Sequence, residues 1–447
     1  MQILGIVIFI LLGYLAFNIW LIFKDEATKR DLWIICSLSY LYKLLLMLII
    51  YLSLLYGGLN GFAFIDDQKY HEAGVKLQRE WMEKGLTVDP NEVTPGFYVK
   101  NDGYYYVSGF LYFLFGEHPL IPRIFNIIIS IFSLIILYSL AIEIWGRSIA
   151  KKSTLLMAFL PDISIWAGLQ FKDTIVIFLV LLTLYHMTLF LYGKPFFRHI
   201  FFTILGIISL FEIRLESALF LALILVFLFI TQGVSKVNKK KVILTVVIIS
   251  VVFISIILPP LLDKSDIVGF GPILYSLIEK NMITDFTGLI PNFEKSSIQS
   301  VGILRHAFIF NFHDLWRLPI GMVFSVITPF PWWPVDRPLS DNIIALSTVP
   351  WLIFLPSILA GMIKFTLKQK PNNIKPLLYH ALGMWFALAF FIYVFSPSRH
   401  RVEFVPLLLL IGVAFLSEQT KIKKYFWFFM GIAFFMTLTS FYIFTKI

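Results

Sequence analysis

Three short polar segments hold the residue types that chemistry needs in an otherwise apolar chain. Asp66 and Asp67 follow a long apolar stretch and a glycine-rich exit, Gly57, Gly58 and Gly61. Adjacent carboxylates repel, so they favour taking up a proton or a cation, which suits one of them to deprotonate a hydroxyl or both to hold a metal. The same pair would equally serve to cap a helix beginning near Gln68. Lys172 and Asp173 form an isolated charged break, Gln170-Phe-Lys-Asp-Thr174, between two apolar stretches. An ammonium beside a carboxylate at a helix start binds phosphate or orients a base, or else is a cap with a snorkelling lysine. The third segment is Ser396-Pro-Ser-Arg-His-Arg401, followed by Glu403 and Pro406. The guanidiniums of Arg399 and Arg401 match phosphate geometry, with the imidazole of His400 between them; general headgroup anchoring is the plainer use.

Other polar residues are less telling. Arg214 between Glu212 and Glu216 reads as a self-neutralising trio at a turn. Lys43 falls near the middle of an apolar stretch, where a charge costs about 2.5–3.5 kcal/mol on insertion scales, so an acidic or water-filled interior is expected around it. His306 and His313, with Asp314 nearby, lack a recognised ligand spacing and read as part of an aromatic surface helix. With Cys36 the only cysteine, there is no disulfide framework or thiolate metal site. The sequence carries no phosphate-cradling glycine loop, zinc motif or nucleotide fingerprint, which argues against a nucleotide-driven pump.

The elements that must position these residues follow from composition. The chain is 59% hydrophobic and only 14% charged, more apolar surface than one soluble core hides, so lipid is the missing solvent. Continuous rather than alternating apolar runs predict helices, not a barrel. Spans are expected near Gln2–Phe23, Leu32–Tyr56, Leu120–Ile142, Ser153–Gln170, Thr174–Tyr192, Ile200–Phe211, Ser217–Gln232, Val242–Leu262, Ile343–Ile363, Leu377–Phe395, Val402–Leu416 and Tyr425–Phe444. The first, without a basic start or cleavage site, reads as a retained span.

The net charge of +10 would suit nucleic acid, yet the basic residues sit in short breaks between spans, which is the positive-inside signature and leaves no nucleic-acid partner to expect. Those breaks hold Lys24, Lys29 and Arg30; Arg147, Lys151 and Lys152; Lys194 and Arg198; Lys236 to Lys241; Lys364 to Lys375; and Lys421 to Lys424. Alternation then puts the N-terminus outside, together with Gly57–Pro119, Phe171–Asp173, Glu212–Glu216, Asp263–Asn342 and Ser396–Arg401. Parity closes only if the proline-broken stretch Leu318–Val335 is re-entrant or surface-lying. The expectation is therefore all-α: a multi-pass cell-membrane bundle of about twelve spans, one integral domain over 1–447, with long outer loops at 57–119 and 263–342.

In order and sidedness these landmarks resemble the GT-C superfamily of polytopic glycosyltransferases, the protein mannosyltransferase and aminoarabinose transferase relatives. The resemblance is carried by Phe64-Ile-Asp-Asp-Gln-Lys-Tyr70, by Pro95 and Tyr104 to Tyr106, by Leu114-Phe-Gly116, by Arg123-Ile-Phe-Asn126, by Pro161 with Lys172-Asp173, and by Arg399-His-Arg401 followed by Pro406. An extra N-terminal span and the absence of a recognisable soluble C-terminal domain depart from the pattern.

The resemblance implies transfer of a sugar from a polyprenyl-phosphate-linked donor to a glycan, lipid or protein acceptor at the non-cytoplasmic face, in cell-envelope or polysaccharide biosynthesis. It implies catalytic roles for Asp66, Asp67 and Asp173, and substrate contacts from Lys172, Arg399, His400, Arg401, Asp102, Tyr105 and Arg123. A divalent metal ion assists some relatives and is left open here. The alternatives are a polymerase or ligase of lipid-linked oligosaccharides, and a transporter or flippase without chemistry. For topology, single cysteines at Ser297 and Asn372 in a chain lacking Cys36 should be labelled from the medium only at the first position; labelling at both overturns the parity.

Overall fold

The structure is a computed structural model that describes residues 2–86, 103–191, 194–228, 318–327, 339–367, 374–391 and 401–446. Among the described residues it is all-helical: fifteen helices and no strand. In chain order they are α1 Gln2–Ile22, α2 Glu26–Tyr56, α3 Ile65–Lys84, α4 Gly103–Phe115, α5 Leu120–Trp145, α6 Arg147–Phe159, α7 Pro161–Ala167, α8 Asp173–Leu191, α9 Phe196–Ile213, α10 Leu215–Leu228, α11 Leu318–Ile327, α12 Leu339–Leu367, α13 Lys375–Phe391, α14 Val405–Ser417 and α15 Lys421–Lys446.

Five described helices are long and apolar enough to cross a membrane: Leu4–Ile22, Glu26–Tyr56, Leu120–Trp145, Asp173–Phe190 and Leu346–Leu367. Ser217–Leu228 and Val405–Ser417 are shorter apolar helices. The expected span Val242–Leu262 lies outside the described residues, as do His306, His313 and Asp314 and the outer-loop positions 263–317. The expected span Ser153–Gln170 is two helices rather than one. Pro161 cannot donate to the helix before it, so α6 stops at Phe159 and α7 starts afresh with Pro161 at its first position.

Helix α5 is the centre of the bundle, touching α1, α2, α4, α6, α7, α8 and α14. Its buried face runs from Ile121 through Ile124, Ile127, Ile131, Leu134 and Tyr138, an i, i+3, i+4, i+7 progression. Opposite, α2 begins on an ordinary cap, Asp25 accepting from the Thr28 amide at 3.0 Å. Its 31 residues span about 46 Å, longer than the hydrocarbon core, so it tilts or stands proud of it. Lys43 departs from expectation. Its buried ammonium position meets the Ser130 hydroxyl of α5, a neutral partner rather than an acid.

The bundle has two chemically different ends. At one, Arg147 and Lys151 bind Asp31 at 2.7 and 3.0 Å, Lys24 reaches Ser139, and Lys364 pairs with Glu418. These are the basic breaks, brought together from α2, α5, α6, α12 and α14. The other end collects the C-terminus of α2, the N-termini of α5, α8, α10 and α14, and the helical pair α3 and α4.

That pair is how the first long loop is built. Helix α3 is polar, with Leu77 and Trp81 buried, and crosses α4 where both are thin. A Cβ on Gly74 would stand 2.9 Å from the Ser108 Cβ and 3.0 Å from the Tyr112 ring, and one on Gly109 would stand 2.9 Å from Leu77. Gly74→Val should therefore cost about 1–3 kcal/mol by overpacking. A lowered thermal unfolding midpoint of the detergent-solubilised protein measures this; an unchanged midpoint would mean the crossing is loose.

Candidate functional site

Adjacent in sequence, Asp66 and Asp67 meet opposite environments. Asp67 is fully buried in the first turn of α3, and its Oδ2 accepts from the Arg123 guanidinium at 2.9 Å and from the Ala63 amide at 3.2 Å. Its Oδ1 accepts from the Gln170 amide at 3.0 Å. The capping use is not what the structure shows: the helix begins at Ile65 behind Phe64 with no side-chain cap, and Asp67 instead forms an ion pair inside the first turn, where the dipole favours a carboxylate. Arg123 also donates to the Gly61 carbonyl at 2.8 Å and lies near the Tyr51 and Phe62 rings. Gly61 closes the turn with φ 80°, a left-handed conformation that favours glycine. Asp66 faces the exposed side of the same helix.

The turn joining α7 to α8, residues 168–172, is bound from several sides. Asn126 donates to the Leu169 and Phe171 carbonyls at 2.7 and 2.9 Å and contacts the Tyr104 hydroxyl at 3.0 Å. The Gln170 side chain donates to Ser108 at 3.3 Å and accepts from Tyr112 at 3.2 Å, while Tyr112 meets His71 Nδ1 at 2.7 Å. Burial, helped by the nearby Arg123 charge, holds the His71 imidazole below its ordinary pKa. Aromatic rings fill the space between these networks. Phe64, Trp166 and Phe171 have mutual centroid distances of 5.5–5.9 Å, and Tyr70 packs on Tyr104, Tyr105 and Phe171.

A second buried pair lies beyond the rings. Arg401 donates to Asp162 at 2.8 Å and to the Val326 carbonyl at 3.0 Å, with its guanidinium over the Trp351 ring. Asp162 stands in the first turn of α7 and also accepts from Trp166 at 3.2 Å. The Val326 carbonyl, near the end of α11, takes a further bond from Trp351 at 2.7 Å, and Trp385 donates to the Met322 carbonyl at 2.8 Å. Tryptophan and arginine donors thus tie α12, α13 and Arg401 to backbone carbonyls of α11.

Two residues on, Glu403 accepts from Ser217 at 2.7 Å and lies 3.4 Å from Arg214, with His380 Nε2 at 3.6 Å. Arg214 pairs in turn with Asp173 at the start of α8. Where the sequence reading looked only to chain neighbours, Arg214 also takes partners from α8 and from just before α14, and Glu212 is exposed. The turn between α9 and α10 points the guanidinium inward, which local sequence does not reveal.

Of the expected site residues, Asp67 and Arg123 are brought together, Asp173 joins Arg214 and Glu403, and Arg401 joins Asp162. Lys172 and Tyr105 are half-buried nearby. Asp102, Arg399 and His400 lie outside the described residues. Sequence reasoning missed Asp162, Gln170 and His71 as members of these networks. Asp162 carried a signal, an acid directly after a helix-starting proline within an apolar stretch. Among the described residues no three or more His, Cys, Asp or Glu side chains group to hold a metal ion. The Asp67 carboxylate is already filled by protein donors.

Residues 103–259 match the family model of dolichyl-phosphate-mannose-protein mannosyltransferase, a GT-C type glycosyltransferase family. No curated protein matches the chain. The matched segment contains Arg123, Asp162, Lys172, Asp173 and Arg214, whereas Asp66, Asp67 and Arg401 lie outside it. With the long apolar helices, the match supports a membrane glycosyltransferase that uses a lipid-linked donor.

Breaking a buried pair strands its other charge, at a cost of about 3–5 kcal/mol. Arg123→Leu and Arg401→Leu should each destabilise the detergent-solubilised protein by that order, while Asp66→Asn should stay within about 0.5 kcal/mol of the parent, as exposed substitutions do. Chemical unfolding measures all three; equal losses would show Asp66 to be structural.

Proposed function

From the family of residues 103–259, we propose that this chain moves a sugar from a polyprenyl-phosphate-linked donor to an acceptor hydroxyl at the outer face of the cell membrane. The observation that carries the proposal is the division of labour between Asp66 and Asp67. Asp67 is immobilised by Arg123 and two amides, and the neighbouring Asp66, exposed, is held by the same first turn of α3.

In this reading Asp66 accepts the proton of the acceptor hydroxyl as its oxygen forms the new bond to the anomeric carbon. The bond from that carbon to the phosphate oxygen breaks, and the lipid phosphate leaves carrying the electron pair. Direct displacement inverts the anomeric centre. Lys172, with Arg399 and His400 of the late segment, balances the charge growing on the phosphate, where fixed positive charge lowers the barrier. Arg401 has a different part: it is tied to Asp162 in a buried ion pair. Asp173 orients Arg214 and Glu403. The donor's tail remains in hydrocarbon, and the clustering of basic residues at the opposite end supports placing the site outside.

Asp66→Asn should lower transfer by roughly 10²–10⁴-fold, the usual contribution of a positioned proton acceptor, at unchanged protein level in membranes. Mass spectrometry of lipid-linked sugars and surface glycans, in cells lacking the gene and carrying either form, reads the result. Product restored by the asparagine variant to the parent level would remove Asp66 from the role.

A further inference from the structure

Gln170 is gripped twice by the same helix. Its backbone amide donates to Asp67, and its side-chain amide reaches α3 again through Tyr112 and His71. Asp67 and His71 are four residues apart and so share one face of α3. The result is a closed ring, Asp67 to Gln170 to Tyr112 to His71 and back along the helix. Ser108 holds the free side of the amide, and Asn126 fixes the residues on either side of Gln170. Asp67, Tyr112, Gln170, Ser108 and Asn126 are all buried, while His71 is half-buried and so the member of the ring nearest to water.

Hydrogen-bond direction assigns each member its role. With the Gln170 amide oriented as it is, its Oε1 uses the Tyr112 hydrogen, so the Tyr112 oxygen is left as acceptor. His71 Nδ1 must then carry the hydrogen in the 2.7 Å contact. The donor is an N–H at the Nδ1 position, a geometry an asparagine amide reproduces and a glutamine amide, one methylene longer, does not.

We propose that His71 is a positioning residue: its Nδ1–H, acting through Tyr112 and Gln170, locks the 168–172 turn against α3, and so sets where Lys172 lies relative to Asp66. This rests on the reading of Asp66 and Lys172 as groups that meet the acceptor and the phosphate. The lock itself can be read without any transfer. The thin crossing of α3 and α4 at Gly74 brings His71 within reach of Tyr112, so the ring depends on tertiary packing rather than on local sequence.

The test places a single cysteine, Lys172→Cys, in a chain carrying Cys36→Ala, and follows its modification by a water-soluble maleimide in detergent. His71→Leu and Tyr112→Phe should each raise the labelling rate several-fold. The double variant should be no faster than either alone, since both remove one linkage. His71→Asn should label like the parent, and His71→Gln like His71→Leu. Unaltered elution on size exclusion checks folding; should His71→Leu aggregate, Tyr112→Phe and the asparagine and glutamine pair still decide. Unchanged labelling in Tyr112→Phe, or equal rates for asparagine and glutamine, overturns the lock. Transfer by His71→Leu and His71→Asn with Lys172 intact is measured beside Asp66→Asn. Loss with leucine and retention with asparagine is expected. If Asp66→Asn remains active, the catalytic reading fails while the labelling result stands on its own.

Discussion

Everything at the polar end of this bundle depends on one buried ion pair, Asp67 with Arg123. Two charges withdrawn from water lose several kcal/mol of hydration each, and their attraction offsets this only when the remaining lone pairs and hydrogens are also used. Here the carboxylate takes two backbone amides besides the guanidinium, while on the guanidinium one nitrogen, Nη2, serves both the carboxylate and a backbone carbonyl, and the buried Nε and Nη1 make no hydrogen bond, with two aromatic rings nearby. The pair therefore does more than join α3 to α5. It fixes the glycine-rich turn before α3 through Gly61 and Ala63, and the turn before α8 through Gln170. An exposed carboxylate one residue earlier inherits that rigidity without sharing the burial.

The same construction recurs twice with other helices. Asp162 begins α7 and Asp173 begins α8, so each acid sits at a helix N-terminus, where the backbone dipole assists it. Of their arginine partners, Arg214 lies at the break between α9 and α10, and Arg401 four residues before α14. Because Arg401 and Glu403 are two residues apart, the stretch before α14 is tied at once to α7, α10 and α11. All three pairs are buried, and the low dielectric of such a setting strengthens the interaction of each arginine with its acid.

Charge sorts the two ends of the bundle. At the far end Arg147 and Lys151 pair with Asp31, Lys364 with Glu418 and Lys29 with Glu26, while Lys24 reaches the Ser139 hydroxyl. At the site end every arginine described is buried against an acid, except for the exposed Arg79, which bridges Glu117.

The sequence by itself determined the helical class, the lipid environment, the two unlike ends and the positions where polar residues interrupt apolar runs. These are properties of composition and of local spacing, which act over one helix or one turn. It also carried the break at Pro161, since a missing amide acts locally. What it did not determine was partnership. Asp66 and Asp67 are indistinguishable as neighbours, and only the direction each takes from α3 makes one a sealed ion pair and the other an exposed acid. Arg214 has acids on both sides in sequence, yet it pairs with Asp173 and Glu403, because the turn between α9 and α10 aims it inward. Arg123 with Asp67, Arg401 with Asp162 and His71 with Gln170 are likewise decided by which helices cross and how closely, and crossings are set by the shapes of whole packed faces rather than by any one residue's chemistry.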